Sequence, residues 1–260
     1  MKGFLFLMEI NECMKRIALL LLAIGLVFVA CDKDGTIVSR NYAKQNTGES
    51  ANDLLSDAKF DQLIVEIQFM VGQRPTTEGM DDFKDFLNAR LRKSSGISFV
   101  YNSIPAQGKS VYTIDEIRAI ENEERTQYND GSTIAAYFLF VDGDFSRGGG
   151  STLGVAYRNT SMCIFEKNIT DNTGGVLQPP TNVLETTVLS HEFAHIMGLV
   201  DLGSQMQANH LDAANGKHCD VESCLMYYSV ETTDVIENLS GGVPVLDAQC
   251  LADLQANGGK

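Results

Sequence analysis

Positive charge is scarce in this 260-residue chain: 20 lysines and arginines stand against 34 aspartates and glutamates, a formal net charge of −14. No Lys/Arg cluster occurs beyond the start of the chain, so the basic patch of a nucleic-acid binder is missing and nucleic acid is not an expected partner. Acidity of this size implies solubility and repulsion from anionic surfaces. The run Gly148-Gly149-Gly150 lacks the G-K-[ST] ending of a phosphate loop and the spacing of a dinucleotide site, and reads as a flexible loop. There is no internal repeat. The apolar run 17–30 is too short for a comfortable membrane span, which needs about 20 residues. Histidine is scarce as well: there are four, His191, His195, His210 and His218, and they fall within one short stretch.

The apolar run follows Lys15-Arg16 and ends Phe28-Val29-Ala30-Cys31, the layout of a targeting segment. A small residue and then cysteine at that place resembles the lipobox of bacterial lipoproteins. The resemblance implies that Cys31 becomes the lipidated first residue of a mature protein anchored in a bacterial cell envelope, on the periplasmic side of the outer membrane or at the cell surface. A non-lipidated secretory signal is the alternative. Met14 opens a more usual signal peptide than Met1 does. Residues 32–59 are polar, with little apolar periodicity, and read as a flexible tether. Residues 60–260 are then the folded domain, expected as a monomer. With 44% apolar residues the chain can bury a core.

Periodicity organises that domain. Leu63 to Met70 alternates like a strand, Thr77 to Lys93 is an amphipathic helix, and Ile97 to Ile104 is a second strand. Thr113 and Glu116 form a capping box that opens a helix. Thr133 to Val141 is apolar throughout, the mark of a central buried strand. Val155 to Tyr157 and Met162 to Glu166 are two short strands, and a last helix covers Leu246 to Asn257. This order predicts an α/β (α+β) fold.

The run His191-Glu192-Phe193-Ala194-His195 carries the chemistry. On a helix, residues four apart share a face, so two imidazoles can grip one metal ion while the glutamate reaches its water. Leu184 and Val188 continue the same face, Pro179-Pro180 block any earlier helix, and Asn182 with Glu185 is a capping pair. A catalytic zinc takes three protein ligands and leaves one position open. Asp201, His210 and His218 compete for the third place.

From His191 to Gly198 the chain resembles the metzincin pattern H-E-x-x-H-x-x-G, with Asp201 at the usual third-ligand position. Farther on, His218-Cys219, four residues, then Cys224-Leu225-Met226 resembles the archaemetzincin string in which the histidine is the third ligand and the methionine forms the Met-turn. The whole is similar to zinc metalloprotease lipoproteins of Bacteroidetes-type bacteria. The resemblance implies a metzincin-like mixed twisted sheet with an active-site helix, and a short C-terminal subdomain with the Met-turn. It favours His218 as third ligand, because Met226 must return under the same metal, and it suggests Tyr228 as an oxyanion-stabilising residue, with Tyr227 as the alternative. Nineteen residues separate Gly198 from His218, an insertion like that of leishmanolysin-like metzincins. Archaemetzincins use a later C-x-x-C for a structural zinc; here only Cys250 remains, so one catalytic zinc is expected. Cys163, Cys219, Cys224 and Cys250 are then disulfide-bonded or free, in a pairing that sequence leaves open.

The implied activity is a zinc-dependent endopeptidase that hydrolyses a peptide or protein substrate with a metal-activated water, Glu192 acting as general base. An edge strand at Gly154 to Tyr157 would pair with the extended substrate. The alternatives are a surface-exposed binding lipoprotein with a structural or vestigial zinc site, and a zinc amidase acting on cell-wall peptide.

Overall fold

The computed structural model describes residues 33–147 and 151–260, which form seven strands, seven α-helices including the histidine helix, and two 3-10 turns. The presequence, Cys31 and the Gly148–Gly150 run lie outside the described residues. In chain order the elements are α1 (Lys33–Tyr42), α2 (Ala51–Leu55), β1 (Gln62–Met70), α3 (Thr77–Arg90), β2 (Gly96–Ile104), β3 (Val111–Tyr112), α4 (Ile114–Glu124), β4 (Thr133–Phe140), β5 (Asp144–Phe145), β6 (Gly154–Arg158), β7 (Ser161–Ile164), α5 (Glu166–Asp171), α6 (Thr181–Ile196) and α7 (Ala248–Ala256), with the 3-10 turns Tyr228–Glu231 and Thr233–Gly241 before α7. The short β3 and β5 pair only with each other, outside the five-stranded sheet.

The main sheet runs β2-β1-β4-β7-β6. Its first four strands are parallel and β6 is antiparallel, on the edge. β4 lies in the middle and is buried almost end to end, as its unbroken apolar run predicts. Both faces of β1 are covered, so the alternation of its sequence does not mark a wet face: Glu66 and Gln68 are buried, and Glu66 accepts the N–H groups of Thr126 and Gln127.

One sheet face, with Val65, Ile67, Phe138 and Met162, packs on α3 and α6; the other, with Tyr137, Leu139 and Cys163, packs under Tyr112, Ile117 and Phe165. Phe193 of α6 meets Phe138 and Phe83 edge to face, each at 5.9 Å between ring centres. Such pairs add about 0.5–1.5 kcal/mol each beyond burial, and here they seat the histidine helix on the sheet. Every residue of α6 from Leu184 to Ile196 is buried, so the helix is a core element on all sides.

Three expectations need correction. Residues 32–59 are not a tether throughout. Residues 39–260 form one unit, in which Ala43, Ala51, Leu54 and Leu55 are buried and α2 packs into the core. The polar stretch hid those few apolar anchors. The Asn182–Glu185 capping pair does not form either. Pro180 takes the N-cap position, and the Glu185 carboxylate instead accepts the Thr76 N–H at 2.9 Å and the Thr76 hydroxyl at the start of α3. Glu166, expected to end a strand, begins α5.

Candidate metal centre

α6 presents His191 and His195 one turn apart, and the loop bearing His218 folds back over them. His191 Nδ1 donates to the Leu225 carbonyl at 2.7 Å, which fixes the tautomer and leaves Nε2 as a bare lone pair. That Nε2 faces His195 Nε2 at 3.1 Å. Glu231 Oε1 lies 3.1 Å from His195 Nε2, 3.1 Å from His218 Nε2 and 3.7 Å from His191 Nε2. Two nitrogens bound tetrahedrally to zinc at the usual bond length would lie about 3.3 Å apart, so the spacing suits that ion. Acceptor atoms converging on one point repel each other unless a cation lies among them. The donor set of three imidazoles and one carboxylate fits zinc. Met226 is wholly buried, in the same core cluster as the apolar residues of α6.

Glu192 stands beside this group. Both of its carboxylate oxygens are buried without a well-formed hydrogen bond. Burial pushes its carboxyl well above the ordinary range, the Glu231 charge pushes it further, and the Ala156 backbone N–H pulls the other way. A side chain at Gly154 would leave Glu192 no room: its Cβ would come within 2.7 Å of Glu192 Cγ and 2.9 Å of Oε1. The edge strand β6 thus lies directly over the glutamate. Burial lowers His195 to about 4, so it is neutral near pH 7. For His218 burial also lowers the pKa, but the Glu231 carboxylate outweighs it and the net direction is up. Burial alone would raise Glu231; the three imidazoles hold it well below the carboxylate range instead.

Of the three candidates for third ligand, the structure brings His218 to the helix pair and not the others. Val200 and Asp201 both take left-handed backbone (φ 52° and 65°), which turns the chain after α6, and Asp201 ends at the rim of the cleft, outside the ligand group. His210 is buried elsewhere. Tyr228 does not line the cleft; its ring packs on Tyr227, and the side chain from this segment that reaches the histidines belongs to Glu231. The reason is an anchor: the Leu153 N–H donates to the Glu231 carbonyl at 2.8 Å, tying that residue beside β6. No spacing rule in the sequence marks Glu231.

A second donor group lies close by in the sequence. Sulfurs of Cys219, Cys224 and Cys250 and a carboxylate oxygen of Asp247 lie within 4.8 Å of one another. His210 joins them: its Nε2 donates to Asp253 at 2.8 Å, and its Nδ1 faces Cys219 Sγ at 3.4 Å and Cys250 Sγ at 3.8 Å. All four cysteines of the folded domain are free thiols, and Cys163 stands apart in β7. The Cys250 S–H holds Cys224 down to about 7, while Cys219 and Cys250 are pushed up. Three thiols and an imidazole at these distances are a zinc-type donor set. The single C-terminal cysteine had argued against such a site; Asp247 is the fourth donor grouped with the three sulfurs, and His210, from the insertion, faces two of them.

Among solved structures, the archaemetzincin of Methanopyrus kandleri matches with a TM-score of 0.50 at 15% identity, over 76% of this chain and 96% of that one. The fold is archaemetzincin-like. Metalloproteinase-II of Bacteroides fragilis also matches, with a TM-score of 0.42 at 16% identity, over 77% of this chain but only 54% of that one. No family model matches the sequence, and no curated protein does.

Proposed function

We propose that the protein is a zinc-dependent peptidase with His191, His195 and His218 as metal ligands and Glu192 as general base. One observation carries the reading: three imidazoles converge beside a buried, unpartnered carboxylate on the floor of a cleft, under an edge strand. Zinc, when bound there, supplies a Lewis acid that polarises a carbonyl and acidifies water. The chain's own groups do the rest. His191 is oriented by the Leu225 carbonyl. Glu192 takes a proton from the attacking water and passes it to the leaving amine. β6 offers its outer edge to an extended peptide.

Glu231 supports a second reading. Its oxygen is close enough to two of the imidazoles to serve as a fourth ligand, which would make the site structural and the protein a binding lipoprotein. The experiment that separates them is chelator-controlled cleavage of a peptide library by wild type and Glu192→Gln. Peptidase action requires Glu192→Gln to keep zinc and lose about 100-fold to 10,000-fold in rate. Equal rates in the two proteins, or no cleavage by zinc-loaded wild type, would remove it.

The thiol group with His210 completes the proposal as a second, structural zinc site. Anchoring in the cell envelope through Cys31 rests on sequence alone; fatty-acid label entering wild type but not Cys31→Ala would support it, and no label in wild type would end it.

A further inference from the structure

The strand β6 divides two chemically different walls of the cleft, which is about 800 Å3 in volume. Successive side chains of a strand point to opposite faces, and β6 follows this rule. Gly154 faces α6, where a Cβ would meet Glu192, and Ala156 packs in the same core as α6. Val155 and Tyr157 face the other way, into the core with Tyr112 and Ile117. The α6 side carries the imidazoles, Glu192 and Glu231. The other side is a shelf of Ile114, Phe145 and Val155, each partly buried against that second core.

Two guanidinium groups stand on this shelf. Arg118 lies one turn along α4 from Ile114, on the same helix face, and Arg147 lies two residues beyond Phe145; both line the cleft. Neither is committed elsewhere. Arg118 has one ion pair, with Asp115 at 3.4 Å, and that aspartate is 87% exposed. Pairs of this kind contribute little and exchange readily. Arg147 is exposed and has no ion-pair partner among the described residues. The acidic residues lining the cleft belong to other segments: Glu192 and Glu231 to the metal group, Glu49 to the turn before α2, and Asp201 to the turn after α6. The whole chain carries a net charge of −14, but charges more than about 8 Å away are largely screened at physiological salt. On the shelf the local field is that of the two arginines.

A peptide paired with the outer edge of β6 would alternate in step with it. Side chains opposite Gly154 and Ala156 turn towards α6 and the histidines. The side chain opposite Val155 turns onto the shelf. That place suits a carboxylate on a short apolar stem: the methylenes rest on Ile114, Phe145 and Val155, and the carboxylate accepts a charge-assisted hydrogen bond from Arg118 or Arg147. A lysine or arginine there would face two like charges.

We infer that the cleft selects peptides with aspartate or glutamate next to the residue over Glu192, and that Arg118 and Arg147 are the specificity-determining residues. The inference rests on the peptidase reading for the reaction, but selection is a binding property and can be measured without cleavage.

Two measurements on the full-length, zinc-loaded protein test it. In the first, wild type cleaves a peptide library and the cut positions are read by mass spectrometry. Aspartate and glutamate are expected to be enriched, and lysine and arginine depleted, at one fixed position within two residues of the cut. A flat or basic preference there would overturn the inference and leave the peptidase reading standing. In the second, Glu192→Gln retains two peptide pools that differ only by glutamate or glutamine at one position. The glutamate pool should be held about 10-fold more tightly, the value of one charge-assisted hydrogen bond, and the difference should shrink as salt rises. Adding Arg118→Gln and Arg147→Gln together should abolish the difference, while Arg118→Lys with Arg147→Lys should keep part of it, with zinc content unchanged throughout. Equal retention of the pools, no retention of either, or a preference that survives the double glutamine variant would overturn the inference. Selective retention without any cleavage by wild type would keep the recognition and remove the peptidase reading.

Discussion

The histidine group and the thiol group hang on the same short segment, yet they are built for different tasks. His218 and Cys219 are neighbours in the chain, and one enters each group. The Cys219 N–H donates to the Met226 carbonyl at 2.8 Å, closing the segment on itself. The histidine group faces a cleft. Its carboxylate, Glu231, is 35% exposed, and an unpartnered base stands next to it. The thiol group faces inward: its three sulfurs are buried, and its histidine is braced by the wholly buried Asp253. One site can admit water and a substrate; the other has the closed, sulfur-rich character of a structural zinc site. Openness and a neighbouring base, more than the presence of donors, separate a reactive centre from a staple.

The comparison breaks first if the ligand assignment is wrong. His218→Ala should remove zinc from the histidine group and lower the content of the purified protein from two ions to about one, because two remaining imidazoles hold zinc weakly. Asp201→Ala should change the count little. Metal analysis of both variants decides the matter: loss of an ion from Asp201→Ala, with His218→Ala intact, would reverse the assignment. Cys250→Ser should remove the other ion and destabilise the protein. A zinc present at a thousandfold its Kd contributes about 4 kcal/mol, so chemical denaturation should show a loss of that order. Cleavage by the remaining zinc-loaded protein should fall far less than in Glu192→Gln. If Cys250→Ser leaves both metal content and stability unchanged, the thiols are not a metal site.

What was legible in the sequence follows the range of the interactions. The H-E-x-x-H pair, the capping box at Thr113 and Glu116 and the central β4 all depend on local spacing, and the structure has each of them. The capping box is complete, with Thr113 and Glu116 each bonding the other's backbone. Glu231 and His210 could not be read that way. Glu231 reaches His195 from 36 residues away because a backbone bond to Leu153 holds it there, and His210 meets Cys250 across 40 residues. Neither has a pattern of its own. Glu185 misled for the same reason: its spacing from Asn182 suggested a local cap, but its partner, Thr76, is 109 residues away.

That glutamate belongs to a third acidic group, at the other end of α6, and it sharpens the contrast with the metal-type clusters. Glu166 and Glu185 share a hydrogen bond, and Glu166 is buried with one carboxylate oxygen unpartnered. No candidate metal-ligand group includes either residue among those described. Burial, and then the neighbouring Glu185, push Glu166 well above the ordinary carboxylate range; burial also raises Glu185, against the opposing Thr76 hydrogen bonds. A carboxyl raised by folding contributes stability that is full below its unfolded value, about 4.3 for glutamate, and that is lost as pH rises towards the folded value. Glu166→Gln keeps the shape, can still donate to Glu185, and has no proton to lose. The variant should match wild type near pH 4 and exceed it at pH 8 by about 1–3 kcal/mol, a gain of a few degrees in Tm. Thermal denaturation of both proteins across that range, read as the difference between them, isolates this pair from every other titrating group. A difference that stays flat with pH, or that favours wild type at pH 8, would show that Glu166 is ionised in the folded protein.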